Sequence, residues 1–272
     1  MQKAISALSI ILLTLLFAAC NIEPEITDVK LDDSNPKLVV EGLITDQPGP
    51  YFVKLSLTTS YFQTGPTPRV SDATVTISDD AGHRETLTPV PGEAGIYQTK
   101  ALRGVVGDTY ALTILYQGQA YTASAYLPNG ITLDSLTYAF VPRRGLAAEG
   151  YYVYLYGREP KSEKNYYRWY LYRNDTLNNG RGDIFVEDDQ FYPAEADSLP
   201  YGDRFNLNDK VKIEVHSLTK EAADYYRGLA NVLTTDGGLI SSPPKNPRGN
   251  LSNGALGLFR ASKVSSAQVE IK

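Results

Sequence analysis

The sequence predicts an all-β protein, mainly antiparallel, built from two consecutive β-rich domains. Three observations support this fold class. Short runs of β-branched and aromatic residues alternate with polar residues, turns rich in Gly, Pro and Asp separate the runs, and helical periodicity occurs in a single segment. The 272 residues are enough to bury the cores of two domains of ordinary size.

Residues 1–19 have the features of a secretory signal peptide. Lys3 supplies a short positive segment, the next fourteen residues are mostly apolar, and Ala18 and Ala19 are the small residues that a signal peptidase requires. The apolar stretch is shorter than the ~20 residues that span a bilayer, which argues against a permanent transmembrane helix. The only cysteine, Cys20, follows directly, as in a lipobox, although Phe17 occupies a position where Leu is usual. We therefore expect cleavage before Cys20 and a lipid anchor on that cysteine.

Residues 20–36 are predicted to form a lipidated, flexible tether, because they are rich in acids and prolines and poor in large apolar groups. Glu23 and Glu25 lie where acidic residues resemble a surface-export signal of bacterial lipoproteins; a plain polar tether is the alternative. Without the signal the chain holds 25 bases and 31 acids, a formal charge of −6. This charge argues against nucleic acid as a partner. With no second cysteine, the fold must be stable without disulfides.

Residues 37–128 contain seven candidate strands. They are KLVVEGLIT, YFVKLSLTT, ATVTISDD, HRETLTPV, GIYQTKAL, TYALTILY and QAYTASAYL. Turn signals such as QPGP, DDAG and PGEAG separate them. Seven strands at this spacing are typical of an immunoglobulin-like or fibronectin-like β-sandwich. We expect this domain to fold by itself when the chain ends at about Leu127.

Residues 131–272 form the second predicted domain, after a joint at Pro128. Further strands are expected in TLDSLTYAFV, YYVYLYG, YYRWYLYRN, DIFVED, KVKIEVHSL, ALGLFRAS and SAQVEIK. One helix is predicted near 219–235, since Thr219 suits an N-cap and Ala222, Tyr225 and Leu229 recur at helical spacing. The domain is therefore expected to be β-rich with one packed helix.

Tyrosine is unusually frequent: 13 of the 20 tyrosines lie between Tyr110 and Tyr172. Alternation places two sets of residues on single strand faces: Tyr152, Tyr154 and Tyr156 on one strand, and Tyr166, Arg168, Tyr170 and Tyr172 on the next. The charged segment between these strands suggests a hairpin. A hairpin would join both faces into one candidate binding surface that stacks sugars or holds a peptide. The alternative is structural, because cross-strand aromatic pairs stabilise a sheet by ~0.2–1 kcal/mol each.

Residues 237–257 are long and irregular, with five glycines, three prolines and three asparagines. Such a segment is often functional. The alternative is a wrapping connection held by its own hydrogen bonds. The spacings of phosphate-binding glycine loops are absent from it.

Catalysis has weak support in the sequence. His83 in a predicted turn and His216 at a strand end belong to different domains, and no GxSxG elbow is present. The acidic run at 183–189 lacks the ligand spacing of a calcium-binding EF-hand. We therefore predict no catalytic residues, no cofactor and no metal site, while a two-carboxylate glycosidase remains open on composition.

Several segments resemble one family. CNIEPE, LVVEGLITDQPGPYFVKLS, ATVTISDDAG, YYRWYLYRNDTL and GGLISSPPKNPRGNLSNGALGLFRAS are similar to Bacteroidetes lipoproteins grouped as domain-of-unknown-function family 4249. The most specific block is NxxGNxSNGALGxFxAS, residues 246–262. Members of that family are usually encoded beside a TonB-dependent outer-membrane transporter. The resemblance carries over one position, the lipidated Cys20, and no catalytic or binding residues.

The resemblance implies an outer-membrane lipoprotein that acts by binding, as an accessory to a TonB-dependent transporter that captures a nutrient or caps the barrel. Glu23 and Glu25 add the expectation that it lies at the cell surface. Glycan and peptide are the candidate ligands. Two alternatives stay open: an independent surface adhesin or glycan-binding module, and a hydrolase of polysaccharide or peptide. Paired carboxylates in one pocket would favour the hydrolase, and an aromatic surface without them would favour binding.

Overall fold

The structure is a computed structural model that describes residues 36–59, 65–143, 149–160, 164–189, 195–235 and 245–272, with the backbone alone for 195–202. The strands are β1 Leu38–Thr45, β2 Phe52–Leu57, β3 Thr74–Asp79, β4 Arg84–Thr86, β5 Thr88–Pro89, β6 Ile96–Gln98, β7 Thr109–Tyr116, β8 Gln119–Tyr126, β9 Thr132–Val141, β10 Gly150–Arg158, β11 Tyr166–Arg173, β12 Thr176–Leu177, β13 Phe185–Asp188, β14 Glu195–Phe205, β15 Lys210–Leu218, β16 Leu256–Ser262 and β17 Val264–Glu270. Helix α1 spans Lys220–Thr234.

The first half of the chain, together with β16 from near the end, forms a sandwich of two sheets. Their strand orders are β16-β1-β2-β6-β5 and β4-β3-β7-β8. Alternation along β1 and β7 turns every second side chain inward. The core between the sheets is aliphatic at its centre and includes Val40, Ile44, Leu55, Ile77, Leu112 and Ile114. The all-β, sandwich-type fold predicted from the sequence is confirmed.

The second half contains two further sheets around a second core. Their strand orders are β14-β10-β9 and β12-β11-β15-β17, with β13 also paired to β11. The core side chains come from both sheets and include Val153, Leu155, Tyr167, Trp169, Leu171 and Ile213. Since this core begins at Ile131, the change of core falls at the joint predicted near Pro128.

The structure differs from the predicted division at one strand. β16, assigned to the second domain, pairs in parallel with β1 over Val39–Thr45. It buries Phe259 and Ala261 in the first core. A Cβ atom at Gly42 would lie 2.8 Å from Cδ2 of Phe259, so the glycine makes room for that ring. Residues 36–272 thus form one compact unit with two cores, because the chain returns to the first sheet after the helix.

The predicted hairpin between the two tyrosine-rich strands is wrong. β10 pairs with β9 and β14, whereas β11 pairs with β12, β13 and β15. Both strands have an apolar face directed at the second core, Val153 and Leu155 on β10 and Tyr167 and Trp169 on β11. The two strands therefore lie in different sheets of a layered core, where sequence neighbours face each other instead of pairing.

Helix α1 lies within the predicted range and has the predicted cap. Oγ1 of Thr219 accepts a hydrogen bond from the backbone N–H of Ala222 at 3.3 Å, as in a standard N-cap. Ala222 and Ala223 are buried against Leu218 and Leu258. No helix in the described residues has the length and apolar character needed to cross a membrane.

Candidate functional site

The tyrosines of β10 lie on the outer face of their sheet. Val153 and Leu155 point into the second core, so alternation turns the tyrosines away from it. We call Tyr152, Tyr154 and Tyr156 the tyrosine row; all three are half-buried. Their partners on β9 are small and exposed: Ala139, Thr137 and Ser135. The row therefore stands above the side chains of the neighbouring strand.

The corresponding face of β11 carries Tyr166, Arg168, Tyr170 and Tyr172, which are all half-buried, and other parts of the chain partly cover it. Tyr226 of α1 and Arg260 of β16 contact side chains on this face. Because β10 and β11 flank the second core from opposite sheets, their outer faces point in opposite directions. The structure does not bring the seven residues of the predicted binding surface together.

Arg260 is the centre of a buried polar cluster on the β11 side, and only 5% of its surface is exposed. Its Nε donates to Oη of Tyr226 at 2.9 Å, and its Nη2 donates to Oη of Tyr170 at 3.0 Å. Its Nη1 donates to Oγ of Ser262 at 2.6 Å, and both Nη atoms lie 3.2 Å from Nδ1 of His216. None of these acceptors is a carboxylate.

His216 connects Arg260 to Glu214. Its Nε2 lies 2.8 Å from Oε1 of Glu214, whose other oxygen pairs with Lys212 at 2.9 Å. Burial lowers the pKa of His216 to about 4, and the hydrogen bond with His216 lowers the pKa of Glu214 to about 2. The imidazole is therefore neutral at pH 7, with its proton on Nε2 and its Nδ1 lone pair towards Arg260. Both ring nitrogens are engaged, which argues against a role as general base.

Arg168 is held between two tyrosine rings. Its guanidinium carbon lies 4.6 Å from the ring centroid of Tyr170 and 4.1 Å from that of Tyr226. Its Nε is buried and has no hydrogen-bond acceptor among the described residues. Burial raises the pKa of Tyr226, but Arg260 and Arg168 outweigh burial and lower that pKa below its ordinary value. We call Arg168, Tyr170, His216, Tyr226 and Arg260 the arginine cluster.

A cleft of about 890 Å³ lies beside the arginine cluster. It is bounded by α1, by the outer face of β16, β1 and β2, and by residues 179–184. Its apolar walls include Val39, Leu43, Leu229, Leu233 and Leu258. Its charged lining residues are Lys54, Arg168, Arg181, Arg260 and Glu41, four basic groups and one acidic group. The cleft is thus apolar along its walls and positively charged beside the cluster.

Several predicted functional positions lie outside the described residues: Cys20, Glu23, Glu25 and the first part of the long segment, 237–244. The described part of that segment packs on the first sandwich. Asn250 donates to the carbonyls of Ser124 and Phe259, and its Oδ1 accepts from the N–H of Phe259. Asn253 donates to the carbonyl of Ala120. Residues 250–253 are therefore held against β8 and β16 by asparagine side chains, and not mainly by backbone hydrogen bonds of their own.

The acidic run at 183–189 serves structural contacts in the described residues. Asp188 pairs with Lys164 at 3.2 Å, and Oδ2 of Asp189 accepts from the backbone N–H of Asn165 at 2.8 Å. His83 lies in an exposed turn, as predicted, and pairs with Asp79 at 2.8 Å. Within the described ranges no cluster of three or more His, Cys, Asp or Glu side chains has the arrangement of a metal site.

The sequence did not reveal Arg260 or Tyr226 as members of a site. A charged residue inside the apolar strand LGLFRAS was the available signal, since buried arginines need several acceptors. The acceptors come from residues 170, 216, 226 and 262, whose proximity depends on the return of β16 to the first sheet.

Comparison with solved structures returns distant β proteins. A two-domain fibronectin type-III segment of chicken tenascin matches with 11% identity and a TM-score of 0.22, covering 68% of this chain and 91% of that one. A DUF4785 family protein of Legionella pneumophila matches with 9% identity and a TM-score of 0.27, covering 66% and 52%. A tetra-tandem repeat from the extending region of a large adhesion protein matches with 13% identity and a TM-score of 0.22, covering 88% and 50%. No curated protein matches this chain.

A family model described as a domain of unknown function, DUF4249, matches residues 24–268. The match includes the first core, most of the second core, the arginine cluster and the most specific sequence block, residues 246–262, which ends with β16. The chain therefore belongs to the DUF4249 family.

Proposed function

We propose that this protein is a lipid-anchored lipoprotein of the outer membrane, of the Bacteroidetes type, that acts by binding. Its proposed role is that of an accessory subunit of a TonB-dependent transporter, in nutrient capture or uptake. The single observation that carries the binding role is the tyrosine row, three half-buried rings side by side on an outer sheet face. The sequence supports the anchor through Cys20 and the surface location through Glu23 and Glu25.

The geometry of the row suits contact with a protein. Its three rings are fixed on a strand paired on both sides, so little conformational entropy is lost when a partner covers them. Tyrosine is enriched among the residues that contribute most to interface affinity. Ser135, Thr137 and Ala139 leave room beside the rings for side chains of a partner.

The described residues favour binding over hydrolysis. His216 has both nitrogens engaged, and Oγ of Ser262 already accepts from Arg260. Oγ of Ser217 donates to the carbonyl of Pro128. The large cleft is lined by one carboxylate, Glu41, and not by the pair that glycoside hydrolysis requires.

Co-purification tests the partner. The tagged wild type, purified from native membranes in mild detergent, should retain an outer-membrane barrel identified by mass spectrometry. The double variant Tyr152→Ser/Tyr154→Ser should weaken this complex by about thirtyfold or more, since interface tyrosines commonly contribute about 2 kcal/mol. Tyr126→Ser is the matched control, because Tyr126 is 43% exposed on β8 of the first sandwich.

A complex that is equally stable in the double variant would contradict docking through the row. Retention of polysaccharide in place of a barrel, with the same dependence on the row, would favour the glycan-binding alternative, since aromatic rings also stack on sugars.

Metabolic labelling tests the anchor. A fatty-acid analogue should label the wild type and leave Cys20→Ala unlabelled, because the lipid is attached to that thiol. Protease added to intact cells should remove the wild type from the surface. Equal labelling of the variant would contradict the anchor, and full protection in intact cells would place the protein on the periplasmic side.

A further inference from the structure

The cleft beside the arginine cluster has an excess of positive charge. Four basic residues and one acidic residue line it, although the whole chain has a formal charge of −5. The two innermost cations, Arg168 and Arg260, form no ion pair with a described residue. Burying an unpaired charge is costly, so a site of this kind is completed by an anion.

Arg168 is placed to receive that anion. Its guanidinium is clamped between the rings of Tyr170 and Tyr226, which fixes its plane before any ligand arrives. All five N–H groups of Arg260 point at acceptors in the cluster, whereas Nε of Arg168 is unused among the described residues. An arginine held in a fixed plane can donate charge-assisted hydrogen bonds to the oxygens of a carboxylate or a phosphate.

The walls of the cleft indicate the chemistry of the rest of the ligand. Leu229 and Leu233 of α1 and Leu258 of β16 provide an apolar surface next to Arg168. The volume of about 890 Å³ falls in the range of small-molecule sites. We propose that the cleft binds a small organic anion, with its carboxylate or phosphate group at Arg168 and an apolar body against these leucines. This site would give the proposed nutrient-capture role a ligand class. It rests on one part of that proposal, namely that the chain acts by binding.

Tyr226 competes directly with a ligand for the role of counter-ion, while the carboxylate of Glu214 acts on Arg260 through His216. Tyr226 lies against both arginines, which lower the pKa of its phenol. An ionised Tyr226 would neutralise part of the charge without any ligand. The variant Tyr226→Phe removes this competitor, because the ring that stacks on Arg168 is retained.

Calorimetric titration of the detergent-solubilised mature protein tests the inference with three probes. These are phenylbutyrate, phenyl phosphate and the uncharged phenylbutyramide. At least one of the two anions should bind with a Kd of about 1 mM or tighter, and the amide should bind at least about tenfold more weakly. The preferred anion then identifies the head group as carboxylate or phosphate.

Two substitutions and one control locate the site. Arg168→Gln should weaken anion binding at least about tenfold, since a charge-assisted hydrogen bond is lost. Lys54→Gln, at an exposed position of the cleft lining, should weaken it severalfold and provides a test if Arg168→Gln does not fold. Arg84→Gln makes the same charge change on exposed β4, outside the cleft, and should leave binding unchanged.

Three results would overturn the inference: no binding of either anion, equal binding of phenylbutyrate and its amide, or anion binding confined to Tyr226→Phe. The last would show that Tyr226 itself neutralises the arginines. The experiment contains no transporter, so a negative result here leaves docking through the tyrosine row standing. Conversely, a failed co-purification does not affect the anion result.

Discussion

β10 and β11 have the same local pattern and different surroundings. Each strand alternates apolar core residues with tyrosines on the opposite face. On β10 the tyrosines stand beside Ser135, Thr137 and Ala139 and stay half-buried on an outer sheet face. On β11, Tyr170 and Arg168 are also half-buried, but their outer face contacts Tyr226 of α1 and Arg260 of β16.

The different surroundings of the two strands arise from residues that are distant in the sequence. Tyr170 lies 90 residues before its partner Arg260, and His216 lies 44 residues before the same arginine. β16 brings that arginine to β11 because it pairs with β1 in the first sheet. An alternating strand thus specifies which residues share a face, while the rest of the chain decides whether that face becomes a surface or an interior.

The largest expected effect concerns β16. A chain of residues 20–127 lacks Phe259 and Ala261 and exposes the edge of β1, so we expect no cooperative thermal transition by circular dichroism. This replaces the sequence-based expectation that the first domain folds alone. The matched control joins residues 249–262 to the same fragment through a Gly/Ser linker, and it should restore the transition. A cooperative transition in the unmodified fragment would show that β16 is dispensable.

Arg260→Leu should reduce the free energy of unfolding by about 3–5 kcal/mol. The substitution leaves Oη of Tyr170 and Tyr226, Oγ of Ser262 and Nδ1 of His216 without their shared donor. Urea unfolding measures the loss. A change below about 1 kcal/mol would mean that water or another group replaces the guanidinium readily.

The arginine cluster should also make stability dependent on pH. The pKa of His216 is about 4 in the folded chain and near 6.5 when unfolded, so the unfolded state takes up a proton first as the pH falls. The stabilising contribution of neutral His216 is complete above pH 6.5. About 3 kcal/mol of the free energy of unfolding is lost between pH 7 and pH 4.

Urea unfolding across this pH range measures the effect for the wild type and two variants. His216→Gln should flatten the profile between pH 6.5 and pH 4, because the titrating imidazole is gone. Gln268→Asn, at an exposed position of β17, removes no titrating group and should keep the wild-type profile. Identical profiles for the wild type and His216→Gln would assign the acid sensitivity to other groups.

The smallest effect is expected on the tyrosine row. Tyr154→Ser should change the free energy of unfolding by about 1 kcal/mol or less, as is usual for outer positions. Tyr170→Ser should cost about 3 kcal/mol, because it removes an acceptor of Arg260 and a ring that packs on Arg168 and His216. Equal losses in the two variants would remove the distinction between the two faces.

The sequence was sufficient for features that depend on near neighbours. Alternation predicted the β-rich fold and the residues that share each strand face. Thr219 and the spacing of Ala222 and Tyr225 predicted the helix. These features need only the side-chain periods of strands and helices.

Sequence patterns did not predict which strands pair with each other. β10 and β11 had two suitable arrangements, a hairpin or opposite layers, and the charged segment between them fits either. The pairing of β16 with β1 spans more than 200 residues and has no local signal. The arginine cluster depends on that pairing, so Arg260 and Tyr226 could not be placed in advance.

Tyrosine footprinting of the protein with and without its co-purified barrel tests the central claim most directly. Nitration followed by peptide mass spectrometry reports which rings reagent can reach. We predict modification of the tyrosine row in the isolated protein, protection of the row in the complex, and little modification of Tyr170 and Tyr226 in either state. Equal modification of the row in both states, or of Tyr170 to the same extent as Tyr154, would contradict the account.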